Sequence, residues 1–146
     1  MAALRYHQPT ANACDSRPLL TAHWPIADGS FPDGLQGGTV IYEMRTYWPA
    51  PGKMPALHKR FNDHTITLFK KHGIEVVGFW ETYIGPAPCL IYVLGYRDLG
   101  HRQEAWDAFA SDPQWLEARA ASERDGALVA RLEAIIMKGT PYGPNA

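Results

Sequence analysis

Residues 74–96 read IEVVGFWETYIGPAPCLIYVLGY, two runs joined at Gly85-Pro86-Ala87-Pro88. β-Branched and aromatic residues crowd both runs, and the Gly/Pro cluster interrupts them, so the stretch reads as two strands with a hairpin-like connection. Successive side chains of a strand point to opposite faces. The first run therefore sets Val77, Phe79 and Glu81 against Gly78, Trp80 and Thr82; the second sets Tyr92, Leu94 and Tyr96 against Ile91, Val93 and Gly95. A sheet wet on one side would show one uniformly polar set. Neither run has one, so both faces of this sheet need a cover.

On the N-terminal side, residues 53–72 carry Met54, Leu57, Phe61, Leu68 and Phe69 at helical spacing, with Pro55 in the first turn and Gly73 as the stop. Ahead of that helix, residues 40–47 form another strand. Val40, Tyr42, Met44 and Thr46 share one of its faces, and Ile41, Glu43, Arg45 and Tyr47 the other. On the C-terminal side, Asp98 is the expected N-cap of a helix over 99–110. Asp112 and Pro113 open a second helix towards Arg124, and a last strand covers 129–137. The order β-α-β-β-α-β, with the second helix broken in two, predicts an α+β, ferredoxin-like split βαβ domain with an antiparallel sheet. That topology packs its helices on one face and leaves the other bare. With no helix left over, the same face of a second copy is the simplest cover, which predicts a homodimer enclosing a barrel-like interior, a dimeric α+β barrel. Glu43, Arg45 and Tyr47 are expected to line that shared interior with Trp80, Tyr92 and Tyr96.

The chain of 146 residues has the length of one domain, and 46% hydrophobic with 20% charged residues is ordinary for a globular protein. A net charge of -1 gives no reason to expect nucleic acid or an anionic membrane as partner. Cys14 and Cys89 lack metal-ligand spacing, and no apolar run follows Met1, so a reduced cytoplasmic protein is expected. Residues 1–38 differ from the rest. Pro9, Pro18, Pro25 and Pro32 interrupt every candidate element, yet Leu19, Leu20, Trp24, Ile26 and Phe31 are apolar. The expectation is an extended arm docked on the domain of residues 39–146 or on a second subunit, with a partly disordered extension as the alternative.

The stretches YEMRTY, PGKM, KKHGIEVVGFWET, IGP, YVLGYRDLGHR and SDPQW, in this order over about residues 40–144, resemble the NIPSNAP family. The resemblance implies a dimeric α+β barrel, the architecture reached above from alternation. It also implies a superfamily whose barrel interior serves cofactor-free oxygenases, small-ring isomerases, dehydratases and haem proteins. Members commonly have an Asn before the third strand, a His within it and a Trp two positions later. Pro88, Tyr92 and Leu94 stand there in this chain. Any proton transfer by the family His would fall to Tyr92 or another group.

Glu43 and Arg45 stand two apart on one strand face, so the guanidinium can hold the carboxylate ionised and clamp a ligand carbonyl or carboxylate, the alternative being a structural ion pair that satisfies only itself. An enclosed carboxylate is also a general acid or base. Tyr47, Tyr92 and Tyr96 are expected hydrogen-bond donors to a developing oxyanion, and Trp80 a flat wall. His64, three after Phe61 and four before Leu68, lies on the apolar stripe, where a core histidine is the commoner reading and a substrate contact the sharper one. His58 and His64 have the wrong spacing for a helical metal pair, and no metal site is expected. His101 and Arg102 read as surface or capping groups, and Trp106 and Trp115 as packing on the sheet or anchoring the dimer. The resulting expectation is a cofactor-independent isomerase or lyase acting on a small apolar carbonyl or aromatic compound. Glu43, Arg45 and Tyr92 would be catalytic; Tyr47, His64, Trp80 and Tyr96 would bind substrate. A non-catalytic binding or scaffold protein and a haem-binding barrel are the alternatives.

Overall fold

Strand β1 (Ile41–Pro49) runs through the middle of a four-stranded antiparallel sheet. β3 (Leu90–Tyr96) and β4 (Val129–Lys138) flank it, and β2 (Glu75–Glu81) lies outside β3, in the order β2-β3-β1-β4. This is the ferredoxin-like α+β arrangement expected from the element order. The computed structural model describes residues 40–142. The arm over residues 1–38 lies outside the described residues.

The first helical segment comes in three pieces: α1 (Met54–Arg60), a π-turn over Phe61–Thr65, and α2 (Ile66–Lys71). A π-turn inserts one residue into the helical count and shifts the phase of every later position in the helix. Thr65 is therefore the residue that turns inward, and its hydroxyl donates to the Arg60 carbonyl at 3.2 Å. His64 is exposed. Its expected place on the buried stripe is corrected by that one-residue insertion. Gly73 ends the segment at φ +68, a conformation costly for any residue with a Cβ.

α3 (Leu99–Ala110) starts where expected, the Asp98 side chain accepting from the His101 amide at 2.8 Å. α4 (Pro113–Ser122) starts the same way, on Asp112 and the Gln114 amide at 2.8 Å.

Strand register decides which side chains meet the helices. Glu43 pairs with Leu94, Arg45 with Tyr92 and Tyr47 with Leu90, so these residues share a face. That face packs on the helices: Phe61 contacts the rings of Tyr47 and Tyr92, and Phe69 contacts Tyr92. Leu57, Phe69, Tyr92, Leu94, Tyr96 and Leu128 are buried in the resulting core. The expectation that Glu43, Arg45, Tyr47, Tyr92 and Tyr96 line a chamber closed by a second copy is thus corrected. Helices of their own chain close it.

The opposite face carries Tyr42, Met44, Ile91, Val93, Ile135 and Met137. Trp80 belongs to it, paired with Ile91 and 52% exposed. It therefore cannot share a pocket with Tyr92 and Tyr96, contrary to expectation. A register shift between Val76 and Gly78 adds one residue to β2 and sends Val76 to the helix side with Phe79. Alternation says which residues share a face, but the handedness of the β1-to-β2 crossover selects the face that the helices cover.

Candidate functional site

Glu43 is fully buried in the middle of β1. Its Oε1 accepts from Arg45 Nη1 at 2.6 Å and from Arg102 Nη2 at 3.0 Å, while Oε2 accepts from Arg102 Nε at 2.9 Å. Arg102 thus grips both carboxylate oxygens in the two-pronged geometry that suits a planar fork. It reaches the strand because Asp98 sets the start of α3, placing Arg102 and, one turn on, Trp106 on the inner side. Burial acts to raise the Glu43 carboxyl; the hydrogen bonds from Arg102 and Arg45 outweigh it and hold the pKa below its ordinary value. The group stays a carboxylate.

Arg45 is 7% exposed and lies 4.3 Å from the centroid of the Trp106 ring. Its Nη2 donates to the Tyr47 hydroxyl at 3.4 Å. Burial works against its charge, but Tyr92, Tyr47 and Glu43 more than compensate, so the guanidinium remains protonated. Its Nε–H is buried and has no partner among the described residues.

Beside Arg45, between the sheet and the helices, is a cavity of about 480 Å³. Arg45, Tyr47 and Tyr92 form its floor, and Phe61, Trp106 and Trp115 belong to its walls. Burial first, and the neighbouring Tyr47 second, push the Tyr92 phenol well above its ordinary pKa, so it is a hydrogen-bond donor and not a base. Arg60 enters from the helical side. It is 5% exposed, donates from Nη1 to Glu123 Oε1 at 2.7 Å, and lies 5.3 Å from the centroid of the Trp115 ring. Its Nε–H is also buried without a partner among the described residues.

The expected site residues therefore separate into groups. Arg45, Tyr47 and Tyr92 come together on the cavity floor. Glu43 lies under Arg45 and is not a lining residue. Tyr96 is fully buried elsewhere on the floor strand, its hydroxyl unpartnered among the described residues and its pKa raised by burial and by Glu43. Trp80 borders a separate groove with His58 and Glu81, whose side chains meet at 2.9 Å. His64 lies on the outer surface beside α4. Sequence reading missed Arg60, Arg102 and Glu123. Arg60 sits three after Leu57 on the apolar stripe, and a charge in that position signals a buried partner. Arg102, Trp106 and Phe109 recur at helical spacing from the Asp98 cap, which contradicts a surface role for Arg102.

Among the described residues, no group of three or more His, Cys, Asp and Glu is placed to hold a metal ion, and no helix is long and apolar enough to cross a membrane. The cavity lining includes no histidine among the described residues, so the haem reading finds no imidazole ligand there.

The split βαβ order and the four-stranded antiparallel sheet place the protein in the ferredoxin-like α+β class. The NIPSNAP family model matches residues 42–144, and the chain belongs to that family. A NIPSNAP family protein with unknown function from Agrobacterium tumefaciens is similar at 32% identity and a TM-score of 0.65, over 73% of this chain and 94% of that one. A second NIPSNAP family protein of that organism shows 27% identity and a TM-score of 0.66, over 74% and 92%. An uncharacterized NIPSNAP-like domain protein from Burkholderia xenovorans, at 22% identity, shares the fold with a TM-score of 0.66 over 74% and 91%. No curated protein matches the chain.

Proposed function

We propose that the cavity beneath the helices is the active site of an enzyme for a small, largely apolar carbonyl or aromatic compound, and that Arg45 holds the oxygen on which charge develops. The observation that carries this reading is the buried Arg45 itself. It is kept charged by Glu43, backed by Trp106, and lines the floor of a ring-walled cavity of about 480 Å³. A ligand oxygen against the cavity side of that guanidinium would gain a charge-assisted hydrogen bond. Transfer of a proton from a carbon beside a carbonyl to a water molecule in the cavity breaks the C–H bond, forms an O–H bond to that water and moves the C–H electron pair onto the carbonyl oxygen. Arg45, with Tyr47 and Tyr92 as further donors, meets that charge without reorganising. Enolisation, isomerisation and elimination all pass through such an anion. Glu43 acts through Arg45 and not on substrate, because its oxygens are engaged by the two guanidiniums.

The second copy belongs to this reading as partner. The open face, with Met44, Trp80, Ile91, Val93 and Ile135, is apolar, and a face-to-face sheet pair would cover it. Binding without turnover is the second reading. It is favoured by the titration of the groups around the floor, which is driven away from neutrality: the Glu43 pKa is lowered and that of Tyr92 raised.

The test is calorimetric binding and turnover across a panel of aromatic acids and enolisable ketones. Arg45→Met should weaken binding of every oxyanion ligand while keeping the circular dichroism of the wild type. Ligands bound equally by both proteins would sink the assignment. Tight binding with no turnover in any arm would select the second reading.

A further inference from the structure

Arg45 and Arg60 stand at the two ends of one continuous stack. The Arg45 guanidinium lies 4.3 Å from the Trp106 centroid; Trp106 and Phe109 are 5.5 Å apart; Phe109 and Trp115 are 4.7 Å apart; and Arg60 lies 5.3 Å from Trp115. All five side chains line the same cavity. The two arginines come from different elements, the centre of β1 and the end of α1, so their convergence is a property of the fold and not of one local motif.

Their electrostatics match. Glu43 is shared by Arg45 and Arg102; Glu123 is shared by Arg60 and by Arg119, whose Nε donates to Oε2 at 3.3 Å. Each carboxylate thus faces two guanidiniums, which leaves one surplus positive charge at each end. The surplus at Arg60 is the weaker, because Arg119 is exposed and its charge is screened by water. A ligand with a single anionic group would meet one of these surplus charges and leave the other without a counter-ion.

We infer that the cavity takes a doubly acidic ligand: an aromatic or unsaturated compound with two carboxylates, or a carboxylate and an enolisable carbonyl, lying along the Trp106–Phe109–Trp115 wall with one pole on Arg45 and the other on Arg60. This rests on the proposed function and extends it. Arg45 serves the oxygen that gains charge, while Arg60 is a specificity-determining residue that anchors the far acid. A methyl or phenyl group at that end would leave the surplus charge at Arg60 unmatched, and this is how a site built for one polar group rejects its apolar analogue.

The test compares monoanions with dianions of matched length, 4-methylbenzoate with terephthalate and 4-phenylbenzoate with biphenyl-4,4′-dicarboxylate, by calorimetry on the full chain. At least one dianion should bind about 10- to 100-fold more tightly than its monoanion partner, as a buried charge-assisted contact provides. Arg60→Met should abolish that difference, costing the dianions far more than the monoanions, whereas Arg45→Met should weaken both classes. Arg60→Lys keeps the charge beside Glu123 but loses the planar guanidinium fork, and it should forfeit most of the dianion preference even if Arg60→Met fails to fold. Equal binding of monoanions and dianions by the wild type, or a preference that survives Arg60→Lys, would overturn the second anchor while Arg45-dependent monoanion binding upheld the first. If no probe bound the wild type, both readings would fall together.

Discussion

At Glu43 three charged side chains meet in a buried place, and the balance between desolvation and pairing can be tested directly. Removing a carboxylate from water is costly, and three charge-assisted hydrogen bonds from Arg45 and Arg102 offset that cost. Because the folded pKa lies below the ordinary glutamate value of 4.5, the carboxylate contributes stability at higher pH that is lost as pH falls below about 4.5 and through the folded value. Asp112, held low by Lys71 first and then by His72, has the same sign, so acid lability alone does not isolate Glu43. Substitution does. Glu43→Gln should lower the unfolding free energy by about 3 kcal/mol at pH 7, because it strands two guanidiniums, and should flatten the pH dependence between about pH 5 and the acid transition. Urea unfolding of both proteins across that range is the measurement, and an unchanged acid slope in the variant would refute the role given to this carboxylate. The pairing of Glu43 with Arg45 was legible from their spacing. Arg102 was not, because 59 residues separate it from Glu43 and only the docking of α3 brings them together.

Among the elements, α3 joins local sequence to the site most directly. Its Asp98 cap is exposed, far from the cavity, and written in the sequence, yet the same helix carries Arg102 and Trp106. Asp98→Ala should cost about 1 kcal/mol of stability, the usual value of a lost N-cap. It should also weaken ligand binding less than Arg45→Met does, since fraying the first turn loosens Arg102 without removing Arg45. Thermal melts and calorimetry on the same samples give both readings; a variant with wild-type stability would mean that the cap contributes nothing. The first helical segment shows where periodicity fails. Leu57, Phe61, Leu68 and Phe69 were read correctly as buried, but the π-turn over Phe61–Thr65 exchanges His64 for Thr65 on the inner side. Nothing in FNDHT announces such a turn, in which the buried Phe61 and Thr65 face inward and the three residues between them are exposed.

For the whole molecule, the proposed dimer and the proposed cavity are separable. The cavity lies between sheet and helices of one chain, whereas the face offered to a second copy is the opposite one. Val93→Glu, a charge in the middle of that apolar face, should convert a dimer into a monomer that still binds ligands through Arg45. Sedimentation equilibrium with calorimetry checks both halves. A wild type that is monomeric at micromolar concentration removes the dimer and leaves the cavity; loss of binding on dissociation would mean that the two sites are coupled after all.

By itself the sequence determined the elements, their order and the fold class, because turn residues, caps and alternation act over a few neighbours and are written where they act. It also determined that both sheet faces are apolar. Which of those faces the helices cover was decided only by the tertiary structure. Glu43, Arg45 and Tyr92 would alternate identically on either side, and the handed crossover between β1 and β2, with α3 and α4 closing over it, places them beneath helices and leaves Trp80 on the far side.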